Sequence, residues 1–167
     1  WHISAISHWE AAVASDPAFA RGYRNLGQAY WNHLADKHKA RSAYQRAVEL
    51  EPRDARIYFE FDQLRKKLLD SPQERLQDFR SRLSLLAERD DAAVEYANLL
   101  NLTGAHEQAL EWLENRNFHP WKGGEGKVLM QHAAACLACG EKVLQDKPNE
   151  ALKFFEKALN RSFRLGK

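Results

Sequence analysis

The chain has 167 residues, of which 44% are hydrophobic and 29% charged, and its formal net charge is +2. It contains 24 alanines but nine Ile, Val and Thr residues combined, a composition that disfavours a large β-sheet and favours helices. The balance of 25 Lys+Arg against 23 Asp+Glu argues against nucleic acid as a main partner, and no apolar run reaches the length of a membrane span.

The first predicted element is a helix from His2 to Ser15. The chain starts at Trp1, without an initiator Met or a leader pattern, so we expect a fragment of a longer protein. Four apolar residues recur along one face of this helix: Ile3, Ile6, Trp9 and Val13. We expect that face to be exposed in the fragment, where a homodimer could form through it, whereas upstream repeats or another domain would cover it in the full protein.

The next two elements follow a pattern of small and aromatic residues at fixed spacing. The pattern reads Tyr23-x2-Leu26-Gly27-x2-Tyr30, then Ala40-x3-Tyr44-x2-Ala47-x4-Pro52. Glycine and alanine at these positions let two antiparallel helices approach closely, and the aromatic rings fill the remaining space. Proline ends the second helix, because it cannot continue the hydrogen-bond ladder.

This order of residues resembles the tetratricopeptide repeat (TPR), a pair of antiparallel helices about 34 residues long. Its second half also occurs at Ala5-x3-Trp9-x2-Ala12-x4-Pro17, and again at Ala151-x3-Phe155-x2-Ala158. The resemblance implies an all-α fold: a right-handed superhelical array of antiparallel helix pairs, a TPR-like α-solenoid, with about nine helices.

The spacing of the marker alanines sets the predicted repeat boundaries within a single domain, 1–167. A half repeat occupies 1–17, and four repeats occupy about 18–52, 53–88, 89–120 and 125–162. The repeat at 53–88 is weak: its first helix runs from Ala55 to Leu69, and its second starts near Ser71-Pro72, a serine cap followed by proline. Glu74 occupies the expected alanine position there, which predicts looser packing.

An irregular insert at 117–127 follows the third pair of helices. Pro120 and three glycines interrupt the helical pattern, and Phe118 and Trp121 are expected to fill the gap between helix pairs. As an alternative, a helix N-terminus near Gly124 could hold an anion weakly. The candidate residues of the insert are Phe118, His119, Trp121 and Glu125.

The sequence of the insert resembles a second group of proteins. Phe118-His119-Pro120-Trp121 followed by Gly123-Gly124-Glu125-Gly126 resembles the C-terminal TPR region of bacterial proteins with an N-terminal sugar-mutarotase-like domain of unknown function. This resemblance implies a carbohydrate-related parent protein. The chain would then be a structural or dimerisation appendage of that parent.

His132-x3-Cys136-x2-Cys139 is a weak candidate for a metal site, because these spacings put three ligand-type side chains on one helix face. The alternative is that both cysteines are small buried apolar residues of a tightly packed helix. No paired ligand segment accompanies them, so we expect no metal and no cofactor. Two cysteines this close also predict a reducing compartment, the cytoplasm.

No catalytic arrangement is found in the sequence, so we expect a protein–protein interaction scaffold and not an enzyme. In the TPR arrays that the chain resembles, the first helix of each pair lines a concave groove. Carried over by position, the groove residues are Arg21, Arg24, Gln28, Trp31, Asn32, Arg56, Phe59, Gln63, Lys66, Lys67, Asn98 and Asn101. Their basic and aromatic side chains suit an extended peptide with acidic and apolar groups; the alternative is that they are solvated and pack against neighbouring repeats.

Overall fold

The computed structural model describes residues 2–119 and 124–159. Over these residues the fold is all-α, as predicted, with ten helical segments and no β-strand. Nine segments have at least nine residues, in agreement with the expected number, and α6 is a single turn. In chain order they are α1 His2–Ser15, α2 Ala20–Leu34, α3 Lys37–Leu50, α4 Ala55–Lys67, α5 Pro72–Ser81, α6 Leu83–Leu86, α7 Asp90–Leu102, α8 His106–Glu114, α9 Gly124–Val143 and α10 Pro148–Leu159.

The chain divides into two compact units, Trp1–Ser71 and Pro72–Lys167. In the first unit α2 pairs with α3, and in the second α7 pairs with α8 and α9 with α10. The repeat boundaries at 1–17, 18–52, 53–88, 89–120 and 125–162, and the single domain that they compose, stay predictions.

Close packing of α2 on α3 depends on the marker residues. A Cβ atom added to Gly27 would lie 2.5 Å from Cδ2 of Tyr44, so any side chain at this position would displace the ring. Ala40 and Ala47 are fully buried on the facing helix, and Ile57 of α4 packs against Ala47. Gly140 repeats the arrangement in the second unit, where an added Cβ would lie 2.4 Å from Cε1 of Phe155.

The expected exposure of the apolar face of α1 was wrong. Ile6 is 5% exposed, and Trp9 and Val13 are partly buried against the same cluster, which includes Leu26 and Tyr30. The reason is that α1 packs on α2 through this face. These three side chains are therefore not available for pairing with a second copy; the side chain of Ile3 lies outside the described residues.

The helix α4 ends in a backbone conformation that glycine usually occupies. The N–H of Leu69 donates to the carbonyl of Lys66 (3.1 Å) and that of Asp70 to the carbonyl of Arg65 (3.0 Å), the two bonds of a Schellman cap. Leu69 has φ +64° and is 89% exposed. The same two bonds close α7, where Gly104 takes the left-handed position with φ +82°.

Replacing Leu69 with glycine is therefore expected to stabilise the first unit by about 1 kcal/mol, because a left-handed conformation is unfavourable for any residue with a Cβ. The exposed leucine side chain contributes little packing that could be lost. The free energy of unfolding from urea titration measures the change. Gly104→Ala is the matched variant and should destabilise by a similar amount; a lower stability of Leu69→Gly would contradict the argument.

In the second unit α5 begins at Pro72, as the Ser71-Pro72 pattern predicts. Glu74 was expected at the packed alanine position of this repeat, but its side chain is exposed. The next residue, Arg75, is buried instead. Arg75 is accommodated by an ion pair with Glu95 of α7 at 2.8 Å.

The predicted insert is shorter than expected at its C-terminal end. α9 begins at Gly124, so residues 124–127 are helical and not part of an irregular turn. The first turn of a helix tolerates this composition, since its first N–H groups need no partner within the helix. Residues 120–123 of the insert lie outside the described part of the chain.

Candidate functional site

A cavity of about 220 Å³ between α2 and α4 gathers most of the predicted groove residues of the first unit. We call it the α2/α4 cavity. Six of its lining residues were expected from the sequence: Gln28, Trp31, Asn32, Phe59, Gln63 and Lys67. Three lining residues were not expected: Tyr44, Glu60 and Leu64. Glu60 lies one turn after Arg56, a spacing that indicates an ion pair on one helix. This spacing could have identified Glu60 from the sequence.

Glu60 is the acidic centre of this cavity and holds two arginines. The guanidinium of Arg24 donates to it twice, from Nε and Nη2, each at 2.6 Å, and Nε of Arg56 donates at 3.0 Å. Burial alone would raise the pKa of Glu60, but these hydrogen bonds lower it below its usual range. The hydrogen bond to Glu60 in turn raises the pKa of Arg24. The carboxylate therefore stays ionised and fixes both arginines.

The aromatic and basic side chains of the cavity are arranged around Trp31. The Nζ of Lys67 lies 5.5 Å from the centre of the Trp31 ring, within the range of a cation–π interaction. Gln28, Asn32 and Gln63 contribute amide groups, which both donate and accept hydrogen bonds. Lys67 is exposed, so its ammonium group can reach a bound anion.

Burial raises the pKa of Tyr44 to about 12, and the nearby carboxylate of Glu60 adds to the shift. The Tyr44 hydroxyl donates a hydrogen bond to the Glu60 carboxylate at 3.4 Å. The arrangement is suited to binding by hydrogen bonds, charge and aromatic contact.

The other predicted groove residues do not line this cavity. Arg21 and Lys66 are exposed. In the second unit, the amide of Asn98 donates to Glu95 at 3.1 Å, and the amide of Asn101 donates to the backbone carbonyl and side chain of Gln131. Both asparagines are therefore engaged in contacts within the second unit.

Of the candidate residues of the insert, the structure describes the side chains of Phe118 and His119. Phe118 is fully buried in a cluster that includes Val94, Leu113 and Val128, as expected for a residue that fills the gap between helix pairs. The His119 side chain is 87% exposed, and its backbone N–H donates to Asp90 at 2.8 Å. Trp121 and the side chain of Glu125, the other two candidates of the insert, lie outside the described residues.

His132, Cys136 and Cys139 share a face of α9 but do not form a ligand set. The imidazole Nε2 of His132 lies 3.1 Å from the carboxylate of Glu114, and the Sγ of Cys136 lies 3.8 Å from the same nitrogen. Burial raises the pKa of Cys136 to about 11 and also raises that of Cys139. Both thiols are thus protonated at neutral pH, in keeping with a packing role.

Residues 2–119 and 124–159 contain neither a cluster of metal ligands nor a helix suited to a membrane span. No group of three or more His, Cys, Asp or Glu side chains there is placed to hold a metal ion. No helix in that part of the chain combines the length and hydropathy that a membrane span requires.

Residues 20–54 match the family model of the tetratricopeptide repeat. This stretch is therefore similar to a TPR. It comprises α2, α3 and the turn that leads into α4, so the α2/α4 cavity lies beside its first helix.

Solved structures show the same fold over nearly the whole chain. Two crystal structures of MamA have TM-scores of 0.59 and 0.60, each with 19% sequence identity over 93% of this chain and 85% or 80% of MamA. YrrB, a TPR protein with an unusual peptide-binding site, has a TM-score of 0.63 with 18% identity over 96% of this chain and 78% of its own. The fold class is thus the predicted α-solenoid of TPR type. The described residues contain no strand, so the β-domain implied by the second resemblance is not found among them.

Proposed function

We propose that the chain is a protein–protein interaction scaffold that binds an extended peptide segment of a partner protein in the α2/α4 cavity. It carries out no catalysis of its own. The observation that supports this is the convergence of Gln28, Trp31, Asn32, Phe59, Gln63 and Lys67 on one cavity. The fold similarity to YrrB, which has a peptide-binding site, is consistent with such a role.

The chemistry of the cavity favours a peptide with both acidic and apolar side chains. Glu60 is already neutralised by Arg24 and Arg56, which leaves the exposed ammonium of Lys67 to attract an acidic group. Trp31 and Phe59 present aromatic surface to an apolar side chain. The three amide side chains suit the alternating donors and acceptors of an extended backbone.

In the alternative function, the chain is an appendage of a carbohydrate-related bacterial protein. This alternative rests on the sequence of the insert. Burial of Ile6, Trp9 and Val13 against the first unit argues against α1 as its dimerisation surface. The bacterial parent and the cytoplasmic location stay predictions.

Lys67→Glu is expected to weaken peptide binding at least tenfold, because it replaces an attractive charge with a repulsive one while leaving the Glu60 network intact. The probe is a fluorescein-labelled pool of blocked peptides in which Asp or Glu alternates with Leu, Phe or Tyr, and anisotropy reports its affinity for the full chain. Lys153→Glu makes the same charge change at an exposed position of α10. It is the matched control and should bind the peptides as the unmodified chain does. Equal affinities for the unmodified chain and Lys67→Glu, or no binding by the unmodified chain, would contradict the proposal.

A further inference from the structure

The first unit has a second cavity, of about 540 Å³, above α2 and between α1 and α3. We call it the α1/α3 cavity. Its lining residues are Glu10, Val13, Ala14, Tyr23, Leu26, Tyr30, His38, Lys39, Ser42 and Ala43. Leu26, Tyr30 and Ala43 form its floor, and each is less than a tenth exposed. The lining is thus apolar at the base, and charged residues stand on the two helices that flank it.

The two cavities lie on nearly opposite faces of α2. Gln28, Trp31 and Asn32 face the α2/α4 cavity, whereas Tyr23, Leu26 and Tyr30 face the α1/α3 cavity. At 3.6 residues per turn these two sets point in nearly opposite directions. A ligand in one cavity therefore leaves the other accessible, and the α1/α3 cavity requires an explanation separate from the proposed function.

Opposite charges stand on the two walls of the α1/α3 cavity. Glu10 of α1 accepts a hydrogen bond from the hydroxyl of Tyr30 at 2.8 Å, which positions its carboxylate at one rim. On α3, the Nζ of Lys39 lies 5.4 Å from the centre of the Tyr30 ring, and His38 is its neighbour. Both charged groups are thus anchored by the same buried tyrosine, with an acidic wall facing a basic one.

The shape of the cavity favours a macromolecular ligand. It is shallow and open to solvent, whereas sites for small molecules usually enclose most of the ligand surface. An amphipathic helix fits such a groove, because its apolar residues one turn apart can contact the floor while its polar edges meet the walls.

We infer that the α1/α3 cavity is a second docking site, for an amphipathic helix of a partner protein. The apolar stripe of that helix contacts Tyr23, Leu26 and Tyr30. Its acidic edge lies along Lys39 on α3 and its basic edge along Glu10 on α1. The TPR at residues 20–54 then serves two ligands, an extended peptide on one face of α2 and a helix on the other.

The test uses two designed helical probes, each a blocked peptide of about 18 residues. Both probes carry leucines one turn apart, and they differ in which edge of the stripe carries Glu and which carries Lys. Amide chemical shifts of the full, isotopically labelled chain are followed by NMR during titration. We expect shifts at Val13, Tyr23 and Ala43, without shifts at Gln28, Asn32 and Gln63, and at least a fivefold preference for one probe.

A variant protein in which the charges of the two walls are exchanged is the matched test. The double variant Glu10→Lys/Lys39→Glu should reverse the preference between the two probes, and both substitutions are at exposed positions, so the fold should be retained. The comparison of the two probes on the unmodified chain requires no variant and tests the inference even if the variant misfolds.

Four results would overturn the inference. The first is that neither probe shifts the signals of the α1/α3 residues. The second is that both probes bind equally well before and after the charge exchange. The third is that dodecanoate produces these shifts while neither peptide does, which would indicate a site for small amphiphiles. Shifts confined to Gln28, Asn32 and Gln63 would also overturn it while supporting the α2/α4 cavity. Failure of the Lys67 experiment would leave the α1/α3 result unaffected.

Discussion

Phe118→Ala is expected to lower the free energy of unfolding of the second unit by about 3–5 kcal/mol, the usual loss when a fully buried phenylalanine is truncated. The ring is 0% exposed and packs among five buried residues: Ala93, Val94, Ala97, Leu113 and Val128. It joins α7, α8 and α9, so truncation leaves a cavity between three helices that cannot easily close. The guanidinium of Arg116, 5.4 Å from the ring centre, would lose its aromatic contact as well.

Urea titration followed by the amide NMR signals of Leu113 and Val128 measures this loss within the second unit. His119→Ala is the control, because this neighbouring side chain is 87% exposed, and its removal should change stability by less than about 1 kcal/mol. Similar losses for the two variants would mean that Phe118 does not hold the three helices together.

The parts of the fold that were predictable are those set by local residue patterns. The bounds of α1 and the start of α5 at Pro72 follow from short-range spacing, as do the buried alanines at positions 40, 47, 109 and 151. These features depend on helix periodicity and on close approach of paired helices, and both leave a regular trace in the sequence. Six of the groove residues carried over from the TPR resemblance line one cavity.

Most of the features that were missed depend on contacts between residues far apart in the chain. Arg24 and Glu60 are 36 residues apart, and no local pattern indicates that they would neutralise each other in the α2/α4 cavity. Ile6 was expected to be exposed because periodicity shows which residues share a face of α1 but does not show what that face contacts. Leu69 occupies a position where glycine is the usual residue, so the sequence carried no signal for the cap.

The buried ion pair between Arg75 and Glu95 is another feature that no local pattern revealed, and Arg75→Met tests it. Nη2 of Arg75 lies 2.8 Å from Oε1 of Glu95, and the two side chains are 2% and 9% exposed. The amide of Asn98 also donates to Glu95. We expect a loss of about 3–5 kcal/mol in the free energy of unfolding, because the substitution removes one partner of a buried ion pair.

The double variant Arg75→Met/Glu95→Met separates charge burial from loss of packing. If the broken ion pair causes the loss, the double variant recovers much of it, since an apolar pair of similar volume is often as stable as a buried ion pair. Glu74→Met, at the exposed neighbouring position, is the control and should change stability by less than about 0.5 kcal/mol. A double variant no more stable than Arg75→Met would show that the arginine side chain contributes through its packing between α5 and α7.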